Sequence, residues 1–308
     1  MRVTASFASL LKTKFLNGWF LFWLISIPIS VQIVSEMLAK DMSLPADVSH
    51  MIGFAVRFAI PIIFIVFATS ALQILYPNLL TRWLMRNRKY IGLTFAVAMF
   101  WQGVFIAHIS IIHRSYYFEN IFYFKDELEG TIGYLLLGAM VVTSFYFARQ
   151  KLDKSQWDLI HKSGMYFLWA YPFSTYWWAT SNYYGDGYAE IKHYSFYFMG
   201  LAAVLLRIAG WRKNQSQNIH IGDIGIPNKI LGNALITIGL GAAMLPIYWQ
   251  PLSYSLLYST AWSENLAMWL PFYPFEPFIP IFIIWLGFRL QISTGQKSKT
   301  MIRTRPSL

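Results

Sequence analysis

Between Tyr90 and Ile112 the chain runs for 23 residues without an Asp, Glu, Lys or Arg. At ~1.5 Å per residue, a helix of that length exceeds the ~30 Å hydrocarbon core of a bilayer. The eight residues before it, RWLMRNRK, carry Arg82, Arg86, Arg88 and Lys89 and no acid. A basic cluster abutting an apolar span marks a cytoplasmic membrane boundary. This stretch therefore constrains both the class of fold and its orientation.

The rest of the chain repeats the pattern. Apolar runs recur at Trp19–Leu38, Met51–Leu75, Thr131–Ala148, Leu159–Trp178, Tyr194–Gly210, Ile230–Trp249 and Met268–Phe288, giving about eight spans in all. Only 13% of residues are charged and 56% are hydrophobic, whereas a soluble domain carries roughly 25% charged residues. The expected fold is an all-α polytopic bundle in the lipid bilayer. The first run follows Arg2, Lys12 and Lys14 like a signal peptide, but it is long and no small-x-small site follows, so it reads as an uncleaved helix.

Charge sorts by side. With the N-terminus cytoplasmic, the inner segments hold eighteen basic residues, among them Arg149, Lys151, Arg212, Lys213, Arg289 and Arg303. The outer loops hold four, Lys40, Arg114, Lys125 and Lys192. This asymmetry predicts that both termini are cytoplasmic and suits a bacterial inner membrane. It also accounts for the net charge of +11 without a nucleic-acid partner. The outer loops, such as SYYFENIFYFKDELEG, are acidic and aromatic, as an interfacial belt or an aromatic vestibule would be.

The absence of Cys leaves no thiolate for a metal, cluster or disulfide. No Gly-rich phosphate loop or soluble domain is visible, so no FAD or NAD site is expected. Ionisable groups inside spans need explaining. Arg57 and Glu276 are expected at similar depths near the outer face, where they suit either a packing ion pair or a polar site for a quinone or headgroup. Glu276 lies in PFYPFEPFIP, whose prolines at 271, 274, 277 and 280 should break or bend the last helix. His161, in QWDLIHKSGMYFLW, reads either as a hydrogen-bonded packing residue or as a haem or metal ligand.

Three segments, RNRKYIGLTFAVAMFWQ, VVTSFYFARQ and QWDLIHKSGMYFLW, resemble the ferric-reductase-like transmembrane domain family. The likeness runs roughly from Phe54 to Trp211. It implies a six-helix core, placed at 51–249, flanked by an N-terminal segment and first helix at 1–50 and a Pro-rich last helix and basic tail at 250–308. It further implies a single b-type haem held by His161, with electrons arriving from a quinol or a flavoprotein partner. The family's other ligand positions hold Gln102, Met99 and Ser174 here. Met99, a thioether closer to the depth of His161 than Gln102 is, or Gln102 on the same helical face would stand opposite. The two also read as a packing methionine and an interhelical hydrogen-bonding amide. The competing expectation is a haem-free member of this fold that serves as a membrane binding, scaffold or transport protein.

Overall fold

A computed structural model describes residues 8–180, 191–218, 226–258 and 261–292. Among these the chain is helical, with no strand. The helices are α1 (Gly18–Leu38), α2 (Pro45–Leu75), α3 (Leu79–Ile112), α4 (Arg114–Asn120), α5 (Phe124–Thr143), α6 (Lys154–Thr180), α7 (Ile191–Asn218), α8 (Ile226–Met244), α9 (Pro246–Tyr258), α10 (Ala261–Trp269) and α11 (Ile279–Leu290). Single turns at Lys14–Leu16, Tyr146–Arg149 and Glu276–Phe278 join them.

Four helices among the described residues are long and apolar enough to cross a membrane, α1, α2, α3 and the Lys192–Gln215 portion of α7. A fifth is added if α8 and α9 form one broken span. These helices are compatible with an integral membrane protein. α1 carries Trp19, Phe20, Trp23, Leu24, Ile27 and Val31 exposed, which water would penalise and lipid would not. α5 and α6 are less apolar at their ends, where α5 begins with Lys125, Asp126, Glu127 and Glu129 and α6 carries Asp158, His161 and Lys162.

Several expected spans are interrupted, each for a local reason. α5 stops at Thr143 rather than reaching Ala148. Thr143 and Ser144 turn their hydroxyls back onto the carbonyls of Ala139 and Met140, both at 2.6 Å, in competition with the helical ladder. The run Ile230–Trp249 bends by 90° between α8 and α9, where Pro246 has no N–H to offer the preceding turn. The last run is helical only up to Trp269 and again from Ile279, with its four prolines in or bordering the gap.

The chain divides into two compact units, Met1–Thr69 with Asn78–Pro172 and Met268–Pro271, and Ser70–Pro77 with Phe173–Ala267 and Phe272–Leu308. In the first unit, Asn78 caps α3 in a reciprocal box with Thr81. The basic cluster at the start of α3 holds the segment before α1. Arg86 donates to the Leu11 carbonyl at 3.0 Å and to Asn17 Oδ1 at 2.7 Å, and Asn87 bonds Asn17 and Gly18. Lys89 lies over the Phe145 ring at 5.2 Å.

In the second unit α8 and α11 meet through glycine. A Cβ placed on Gly287 would lie 2.6 Å from the Gly232 carbonyl oxygen, and one on Gly239 would lie 2.9 Å from that of Pro280. Small residues let apolar helices approach closely where burial from water cannot drive association.

Candidate functional site

α5 carries the predicted site residues at two levels. Near its middle the Tyr134 hydroxyl reaches the Met99 carbonyl at 3.0 Å and Gln102 Oε1 at 3.1 Å. One hydroxyl proton cannot serve both acceptors, so rotating the Gln102 amide to donate to Tyr134 would satisfy all three groups. At the C-terminal end Thr143 Oγ1 lies 3.0 Å from His161 Nε2. Tyr134 and Thr143 are nine residues apart on one helix, about 13 Å along its axis. The structure thus brings Met99 and Gln102 together and does not bring His161 to them.

The surroundings of His161 are closed and mutually satisfied. Thr143 already directs its hydroxyl at the Ala139 carbonyl at 2.6 Å, so the imidazole is the donor through Nε2. Trp157, one turn earlier on α6, stacks on the imidazole with ring centroids 4.1 Å apart, donates to the Thr143 carbonyl at 3.3 Å, and is itself covered by the Arg149 guanidinium at 5.2 Å. Gly164 admits this packing, since a Cβ there would fall 2.3 Å from the Met140 sulfur. A haem between His161 and Met99 or Gln102 does not fit this arrangement. Two axial ligands of one iron must meet at one depth, and the ring nitrogen that faces α5 is taken by Thr143. Among the described residues no group of three or more His, Asp or Glu is gathered to hold a metal ion.

Met99 and Gln102 instead line a cavity of about 570 Å³ bordered by α2, α3, α4, α5 and α6, within the usual size for small-molecule sites. Its walls are apolar over most of their area, with Val56, Ile60 and Ile63 from α2, Phe95 and Ile106 from α3 and Leu168 from α6. At the N-terminal end of α5 the lining becomes acidic, with Asp126, Glu127 and Glu129. Acids in the first turn of a helix are favoured by its dipole, which explains why α5 starts here. It does not account for three of them facing one cavity.

Charge there is only partly balanced. Lys125 lies 3.9 Å from Glu129, both side chains being largely buried, and the Tyr117 hydroxyl donates to Glu127. Burial and the Glu127 carboxylate together push the Tyr117 hydroxyl up in pKa. Asp126 is exposed over much of its surface, yet its carboxyl is crowded enough that burial raises its pKa, with Lys125 opposing and Glu127 adding to the rise. Tyr171 of α6 is near enough to Asp126, Glu127, Glu129 and Tyr134 to feel them. Among the described residues, Asp126, Glu127 and Glu129 lie with Lys125 at this end of the cavity, an arrangement suited to a cation.

Arg57, half-buried on α2, belongs to the first unit, and Glu276 to the second. Glu276 is fully buried, and neither carboxylate oxygen has a hydrogen-bond partner. The Ser253 side chain is close enough to influence it but outside hydrogen-bonding geometry. His108 and His113 both approach the Met42 carbonyl, at 3.2 and 3.4 Å, and fasten the loop after α1.

Fold and site together define an all-helical chain with membrane-length helices and an apolar cavity ending in carboxylates. No family model, curated protein or solved structure matches it. Sequence reasoning missed Tyr134, Asp126, Glu127 and Glu129 as site residues. Their signal was visible in the segment KDELEG, followed by Tyr134 one to two turns on, but it reads equally well as a solvated loop and an interfacial aromatic.

Proposed function

We propose that this protein is a membrane-embedded binding protein that takes an amphipathic organic cation or amine into the α2–α6 cavity. The observation that carries the reading is the cavity itself, apolar along most of its lining and bordered at one end by Asp126, Glu127 and Glu129. An apolar body gains by burial against the α2 and α3 side chains, and a cationic head gains most where the local dielectric is low. Tyr134 and Gln102 offer hydrogen bonds midway. In this reading the chain has about eight spans and both termini in the cytoplasm, in a bacterial inner membrane. The plan resembles the ferric-reductase-like domain without its haem. The acids then lie on the outer side, and ligand enters from there.

Tetraphenylphosphonium and tetraphenylborate, which share a shape and differ in the sign of charge, test this on the full chain in nanodiscs. Saturable binding of the phosphonium above that of empty nanodiscs, with none for the borate, is expected. Equal specific binding of both, or of neither, contradicts it. The second reading, electron transfer through one b-type haem on His161, rests on the sequence resemblance and requires His161 to exchange Thr143 for iron. A Soret band in the purified protein that shifts with dithionite and disappears in His161→Ala would establish that reading and displace the first.

A further inference from the structure

Glu276 stands apart from this cavity and needs its own explanation. It sits in the single turn Glu276–Phe278, in the gap between α10 and α11, with no exposed surface. Phe272 and Phe275, on either side of Tyr273 and Pro274, adopt left-handed backbone angles, φ 62° and 68°, an unfavourable region for bulky side chains. Such a geometry persists only where its surroundings enforce it. The surroundings are aromatic, with Phe278 packed on Phe173 and Phe272 at 5.9 and 5.7 Å, and Tyr197 stacked on Phe173 at 5.3 Å.

Among the described residues, the basic side chains of α7 have partners of their own, and Lys229 of α8 is exposed. On α7, Arg207 donates to Ser70, Lys213 to the carbonyls of Ile74 and Leu75, and Arg212 lies over Phe288. His193 packs beside Tyr176. Tyr197 donates to the Ala243 carbonyl of α8, and Tyr273 to that of Leu257 on α9. On α11, Arg289 is more than three turns past Glu276. On α6, the Trp177 indole N–H is also buried without an acceptor.

A carboxylate stripped of water and unpaired is strongly disfavoured, and the group keeps its proton instead. The N-terminus of α11, three residues on, supplies the partial positive charge that a transient anion would need. We propose that Glu276 is a proton-binding site built into the break between α10 and α11, holding its proton while buried and exchanging it when the 270–278 segment opens. The ligand is the proton itself rather than a metal cation. The described surroundings offer an inorganic ion one carboxyl and one nearby hydroxyl against an aromatic wall.

Dicyclohexylcarbodiimide tests this on the unmodified chain in nanodiscs. The reagent enters lipid and adds to protonated carboxyls, the acid proton passing to its nitrogen as the carboxyl oxygen bonds its carbon. Mass spectrometry should locate the adduct on the Glu276 peptide at mildly acidic pH. The labelling rate should fall about tenfold per pH unit above the titration midpoint and should be the same in sodium and choline chloride. Glu276→Gln should lose the adduct. An unlabelled Glu276 in folded wild-type protein, or an adduct that persists in Glu276→Gln, overturns the proposal. Suppression of labelling by sodium overturns it in favour of a metal-cation site.

Discussion

The two ends of α5 use polar side chains in opposite ways. At the Thr143 end polar groups pair within the chain, with hydroxyl on carbonyl, imidazole on hydroxyl, indole on carbonyl and guanidinium on indole. At the Phe124 end the carboxyls of Asp126, Glu127 and Glu129 border a cavity. Satisfied groups inside a bundle fix its packing. Carboxyls gathered at the border of a cavity are suited to a ligand. In the proposed reading the ligand site lies at the Phe124 end and His161 belongs to the packing.

The largest effect expected from breaking this contrast is on the structural end. His161→Ala removes a ring stack and a hydrogen bond, and should cost about 2 kcal/mol in thermal unfolding of the detergent-purified protein. Phosphonium binding should be unchanged. At the other end the double variant D126N/E129Q should lower phosphonium affinity by about tenfold or more, roughly 1.4 kcal/mol, as measured by equilibrium dialysis.

Thr143→Val is the smaller structural probe. It should cost about 1 kcal/mol, and far less in the His161→Ala background, because the two residues serve one interaction. The smallest effect is that of pH. The probe's charge is fixed, so only the protein titrates. Burial places the Asp126 midpoint above its ordinary value of 3.8, and its neutral form is favoured in the folded protein. Its contribution to stability is therefore present at acid pH and lost as pH rises from the ordinary carboxylate value through the raised one. Phosphonium affinity should run the other way and weaken several-fold as pH falls through that raised midpoint.

Much of the helical architecture was legible in the sequence, because membrane helices announce themselves by length and apolarity. The runs at α1, α2, α3, α6 and α7 are the ones that the structure keeps as long unbroken helices. The breaks were less legible. The prolines of the last run foretold its interruption, but the end of α5 depends on two hydroxyls choosing their own helix's carbonyls, which Thr143 and Ser144 do not advertise. Met99 and Gln102 were correctly expected to share a helical face. Their separation from His161 was not readable, because depth estimated along single helices ignores how α5 threads between them. Tyr134, which measures that separation, looked like any aromatic in a span.

The most direct test of where ligand binds is photo-crosslinking with a phosphonium that carries an aryl azide, followed by peptide mapping of the wild-type protein in nanodiscs. Adducts on Phe124–Tyr134 and around Tyr171, displaced by excess tetraphenylphosphonium, are the predicted result. Displaceable adducts confined to the Trp157–His161 segment, or no displaceable adduct at all, would contradict the assignment of the site to the acidic end of α5.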